Sequence, residues 1–192
     1  MSEPIPPPFD ALPAAARRTL DLTKGQNLFR QGDPADQVYY IARGGIDMLR
    51  VTETGAPVLI HRGTAGNFIA EASLFAPEYH CDAVAIAETK VVAMAKPAIE
   101  RAMASDPGFA PQLLAFLARQ VQGLRQKVTL LAIKCAEDRI AAALASGIPI
   151  RSVPSFAAEI GLSPEATYRA LTRATKAGRL VKTGRGRYRL AP

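Results

Sequence analysis

Cysteine is scarce: Cys81 and Cys135 are the chain's two. Two thiols cannot build a dense disulfide framework, and a four-cysteine zinc or iron–sulfur site within one chain is excluded. A reducing cytoplasm is the expected setting. Histidine is equally scarce, with only His61 and His80. No nucleophile elbow, phosphate-binding Gly-Lys-Ser loop or HExxH motif occurs, so no enzymatic activity is expected. No apolar run reaches eighteen residues, so no membrane span and no membrane partner is expected. The first nine residues carry Pro4, Pro6, Pro7 and Pro8 but no basic segment followed by an apolar one. They do not read as a secretory signal; an extended or disordered arm is expected there.

Acidic residues are nearly missing from one region. Residues 151–192 hold nine Lys/Arg but only Glu159 and Glu165, a balance of +7. The whole chain of 192 residues is also +7, so residues 1–150 are neutral. A basic field confined to the last 42 residues points to nucleic acid, because a merely basic soluble protein would spread its charge. With 48% hydrophobic and 21% charged residues, the composition is globular and suits one large domain or two small ones.

Short strands and turns dominate from about Thr19 to Ala95. Gln31-Gly32-Asp33-Pro34 is a turn, and residues 37–41 read as a strand. Gly44-Gly45 breaks it before a strand over 46–51. A turn at 53–57 leads into a strand over 58–60, and strands follow at 83–87 and 91–95. This rhythm suggests a jelly roll or barrel. A jelly-roll metal oxygenase would need several histidines and a carboxylate inside the barrel, and this chain lacks them.

Helical patterns begin at Pro97, with a short segment over 97–105 and a long one over 109–134. In the long segment Leu114, Leu117, Val121, Leu124, Val128, Leu131 and Cys135 are spaced 3-4-3-4-3-4. The stripe suits an amphipathic helix packed on its own domain, but so narrow a seam over three heptads favours a coiled-coil dimer. Gly123 lies off the seam. Helices over 137–146 and 153–160 follow.

Gly161 then supplies a permissive turn, Ser163 an N-cap and Pro164 a first helical residue. Thr167, Ala170, Leu171 and Ala174 share one face of the next helix. Glu165, Tyr168, Arg169, Thr172 and Lys176 share the other. A solvated surface helix would look similar, but beside the basic field this is the pattern of a helix-turn-helix with its reading helix exposed. The tail, 180–190, reads as a hairpin with Tyr188 and Leu190 inward and its arginines outward.

The order of these parts resembles the bacterial cyclic-nucleotide-sensing and oxygen-sensing regulators of the Crp/Fnr family. Gly25-Gln26-Asn27-Leu28-Phe29-Arg30-Gln31-Gly32-Asp33-Pro34, with Val38 to Gly44, looks like the opening of the family's sensor domain. Residues 66–75 look like its phosphate cassette, and 161–171 like its recognition helix. The resemblance implies an α+β protein: an N-terminal arm (1–18), a cyclic-nucleotide-binding-like β-roll or jelly roll (19–107), a coiled-coil dimerisation helix (108–135) and a winged helix-turn-helix (136–192). It implies a homodimer on two-fold symmetric double-stranded DNA, regulating transcription with RNA polymerase as a further partner.

In the family a glutamate and an arginine four positions later read a G·C pair, and Glu165 and Arg169 match those positions. Tyr168 joins them as a base contact. Ser163, Thr172, Arg173, Lys176, Lys182, Arg185 and Arg187 are the expected phosphate contacts, with Arg179 beside them. Pro164 stands where cyclic-nucleotide-dependent members often carry a base-reading arginine. The expected effector pocket comprises Ala70, Glu71, His80, Cys81 and Asp82. Ala70-Glu71 replaces the family's Gly-Glu, and Cys81-Asp82 replaces the Arg-Ser that holds the cyclic phosphate. A carboxylate 4 Å from a phosphate charge repels it by about 4 kcal/mol at an effective dielectric of 20, so cyclic AMP is not expected to bind. His80, Cys81 and His61 are the candidate donors for haem or a metal, although neighbours on a strand face opposite ways. No specific cofactor is assigned.

Overall fold

The computed structural model describes residues 4–52, 55–150, 152–184 and 186–191. They divide into two compact units, Met1–Phe116 and Leu117–Pro192.

The first unit is built on eight strands: β1 Arg17–Leu22, β2 Asn27–Phe29, β3 Gln37–Arg43, β4 Gly45–Val51, β5 Pro57–Thr64, β6 Phe68–Ile69, β7 Asp82–Ala85 and β8 Thr89–Ala95. They form two four-stranded sheets in the orders β1-β8-β3-β6 and β2-β7-β4-β5, with every pairing antiparallel. The alternation of inward apolar residues puts Tyr39, Ile41, Ile46, Ala83, Ala85 and Val91 into one shared core, the architecture of a jelly roll. α1 (Lys96–Ser105) follows β8 directly, with Pro97 in its first turn, where a missing donor does no harm.

The expected arm is packed instead. Phe9 is fully buried, and Ile5 and Leu12 are nearly so, around two 3-10 turns at Phe9–Ala11 and Ala14–Ala16. The Phe9 ring lies 4.6 Å from Phe68 and 5.7 Å from Phe116 between centroids. Burying one such aromatic side chain contributes about 1.5–3 kcal/mol, which outweighs the proline-rich bias toward an open chain.

Helix α2 runs Phe109–Ala132. Its first turns bury Phe109, Leu113 and Phe116, so the first unit takes in the start of a helix that the sequence suggested was separate. The seam faces outward: Leu114, Leu124 and Val128 are 68%, 63% and 58% exposed, and Val121 and Leu131 are also exposed. Cys135 lies beyond the end of α2, at the N-cap of α3 (Ala136–Ala145), so the helical seam stops at Leu131.

Helices α3, α4 (Val153–Glu159) and α5 (Pro164–Lys176) and the hairpin β9 (Leu180–Gly184) and β10 (Arg187–Leu190) complete the second unit. Ile140, Phe156, Ile160, Leu171 and Leu180 fill its core, with Leu130 from α2. In the hairpin the inward anchor is Leu180, with Tyr188 half-buried. Leu190, expected inward, is 36% exposed, because it pairs with Leu180 at the open end of the ladder.

Candidate nucleic-acid interface and sensor site

Helix α5 is amphipathic in the way its spacing demands. Thr167, Ala170 and Leu171 are fully buried and Ala174 nearly so. The Thr167 hydroxyl, the one polar group among them, donates to the Ser163 carbonyl at 2.9 Å, so its burial leaves no orphan. Ser163 Oγ caps the helix by accepting from Ala166 N at 3.1 Å; its own hydroxyl proton stays available for an outside acceptor. Glu165, Tyr168, Arg169, Thr172 and Lys176 lie on the exposed face, with Tyr168 54% exposed. Among the described residues neither Glu165 nor Arg169 makes an ion pair.

Besides Ser163, the expected phosphate contacts within the described residues fall into three groups. Lys176, Lys182 and Arg187 are exposed and form no ion pair among the described residues. Arg173 and Arg179 are tied to α3: Arg173 pairs with Glu137, and Arg179 Nη2 reaches Asp138 Oδ1 at 2.6 Å. The Thr172 hydroxyl donates to the Tyr168 carbonyl at 2.9 Å, so its proton is already in use. Arg185 lies outside the described residues. Glu137 and Asp138 sit in the first turn of α3, where the helix dipole favours carboxylates.

In the first unit two of the five expected pocket residues, Ala70 and Cys81, belong to one buried core. Ala70 is buried and holds a left-handed backbone at φ 66°, a conformation that costs a non-glycine residue roughly 1–2 kcal/mol. Glu71 opens a 3-10 turn, and burial pushes its carboxyl above the usual carboxylate range. Cys81 is 4% exposed inside the core near Tyr39 and Tyr79; burial pushes its thiol up, against the pull of the Arg50 guanidinium. His80 faces the surface, so the adjacent donors His80 and Cys81 point apart. His61 is on β5, paired in register with Met48 of β4. Among the described residues no group of three or more His, Cys, Asp or Glu side chains is placed to hold a metal. Asp82 Oδ1 accepts from the Gln31 amide at 2.8 Å.

Large side chains pack closely in this core. The Phe29 ring stacks on Tyr79 at 3.9 Å. The Tyr79 hydroxyl donates to the Gln37 carbonyl at 2.8 Å.

Residues 19–106 match the cyclic nucleotide-binding domain. The transcriptional activator protein anr of Pseudomonas aeruginosa is 26% identical over 133 residues, 69% of this chain and 54% of its own length. The transcriptional activator protein FnrA of Stutzerimonas stutzeri is 25% identical over 191 residues, 92% of this chain and 78% of its own. The chain is thus similar to transcription regulators of the Crp/Fnr type. FixK2 of Bradyrhizobium japonicum shares the fold, with a TM-score of 0.69 at 21% identity over 92% of this chain and 93% of its own. The match to the Pseudomonas protein spans about half of that relative's length.

Two positions depart from what the resemblance implies. Ala70, where a glycine is expected, holds a left-handed backbone, which glycine adopts without strain. No arginine occupies the phosphate-holding position; the cation brought near Cys81 is Arg50, from β4. Sequence reasoning missed Arg50 because it lies 31 residues before Cys81 and only strand pairing brings it close.

The Glu137–Arg173 pair yields a measurable expectation. Arg173 holds the Glu137 carboxyl down at about 2, helped by Cys135. A depressed carboxyl stabilises the fold above its unfolded pKa, about 4.3, and loses that contribution as pH falls toward 2. Glu137→Gln therefore flattens the acid limb of a thermal-unfolding pH series. On the reading of this face as a DNA interface, it also frees the Arg173 charge, so DNA affinity is expected to rise at low salt. The slope of log K against log salt is then expected to be steeper by about one per chain in a binding titration.

Proposed function

We propose that this protein is a homodimeric, sequence-specific DNA-binding transcription regulator acting in the cytoplasm, with double-stranded DNA and RNA polymerase as partners. The exposed row of α5 carries this reading: Glu165, Tyr168 and Arg169 stand out over a fully buried base. Arg169 donates to guanine O6 and N7 while Glu165 accepts from cytosine N4. Lys176, Lys182 and Arg187 meet phosphates on either side, together with Ser163 at the helix start. The outward seam of α2 supports pairing of two chains, since monomeric proteins rarely leave such a stripe open. Two reading helices then enter successive major grooves about 34 Å apart.

Selection from a random duplex pool tests the reading. A two-fold symmetric site with a G·C pair in each half supports it; recovery of unrelated, asymmetric sequences refutes it. The sensor site does not take cyclic AMP in this reading. Its support is the absence of a phosphate-holding arginine and the burial of Cys81 among aromatic rings. Calorimetric titration is expected to give no heat of binding, and micromolar affinity would refute it.

A further inference from the structure

Arg139, on α3, carries no role so far, yet its guanidinium makes five hydrogen bonds to four backbone carbonyls. Nε donates to Ile133 O at 2.9 Å and Nη2 to the same oxygen at 2.6 Å. Nη2 also reaches Leu131 O at 3.2 Å. Nη1 donates to Ile160 O at 3.2 Å and Gly161 O at 3.0 Å. The first two carbonyls mark the end of α2, and the last two form the turn between α4 and α5. Helix-ending carbonyls lack partners within their own helix, and a planar guanidinium can hold acceptors on two segments at once. Arg139 makes no ion pair among the described residues, so its donors serve these carbonyls. Beside the clamp, the Leu131 side chain packs onto Gly161, filling the space a Cβ would occupy. Gly161 is at φ 65°.

We propose that Arg139 is a positioning residue that fixes the helix-turn-helix to the last turn of α2 and thereby sets the half-site spacing accepted on DNA. The spacing part rests on the reading of the chain as a dimeric DNA-binding regulator. The direction of each reading helix relative to the dimer seam determines the distance between half-sites. Without the fork, four carbonyls turn to water, and α3 to α5 can pivot about residues 133–135. Lysine at this position keeps the charge, but a compact ammonium cannot bridge both segments.

The test uses the full chain as wild type, Arg139→Lys and Arg139→Met. Duplexes carry identical half-sites with the spacer changed one base pair at a time. Wild type is expected to favour one spacer by about tenfold. Both variants are expected to lose that preference while still ranking half-site sequences as wild type does, a separation that general loss of folding would not produce. Spin labels at Gln122 and Glu159, in protein diluted with unlabelled chains, are expected to give one narrow distance in wild type and a broad distribution in both variants. If Arg139→Met does not fold by circular dichroism, Arg139→Lys carries both measurements. An unchanged spacer preference with an unchanged distance distribution overturns the proposal. A wild type that selects no two-fold site overturns the DNA reading and the spacing role with it; the label distances then decide separately whether Arg139 holds the turn.

Discussion

Arg169→Ala removes discrimination at one base pair of each half-site. Affinity for the selected duplex falls to that of a duplex with this G·C pair changed, a loss of roughly 1–3 kcal/mol per half-site. Arg169 is exposed and makes no ion pair among the described residues, so the fold and melting temperature stay as they are. Lys182→Ala provides the contrast: it lowers affinity for all duplexes alike and reduces the salt slope by about one per subunit. A gel-shift series across single-base variants separates the two outcomes. If Arg169→Ala leaves the ranking of variants unchanged, the base-reading assignment is wrong.

Leu124→Glu is expected to produce a monomer. Leu124 is 63% exposed at the middle of the seam, so a carboxylate there leaves each chain's own core intact but places two like charges across a dimer interface. Sedimentation velocity at micromolar concentration reports the change directly. The monomer can engage only one half-site at a time, so affinity for the two-fold site drops by roughly a hundred- to ten-thousand-fold, while affinity for an isolated half-site holds. A dimer that survives this change would mean that the seam is not the interface.

Features with a period of their own were readable from the sequence. Helix α5 betrayed both faces because buried and exposed residues recur at helical spacing, and burial of Thr167, Ala170, Leu171 and Ala174 follows that pattern. The seam from Leu114 to Leu131 was legible for the same reason. β3 and β8 announced themselves by β-branched and aromatic residues, and β4 by the Gly44-Gly45 break before it. β6 has two residues and β2 three, too few for any periodicity. β1 reads RRTLDL, and its side chains are largely exposed, so its pairing with β8 left no apolar alternation to see. Ion pairs such as Arg173–Glu137, 36 residues apart, depend on tertiary approach. Arg139 was invisible for a further reason: its acceptors are backbone carbonyls, which every residue possesses.

Leu131 closes the apolar seam and also covers the turn at Gly161. In the dimeric DNA-binding reading proposed above, a side chain that belongs to both surfaces couples subunit association to duplex binding. By linkage, whatever factor a bound duplex adds to the affinity of one chain for another, association returns to the affinity for the duplex. On that reading, substitutions at Leu131 and Arg139 are expected to be non-additive, and DNA affinity is expected to depend on chain concentration through the end of a single helix.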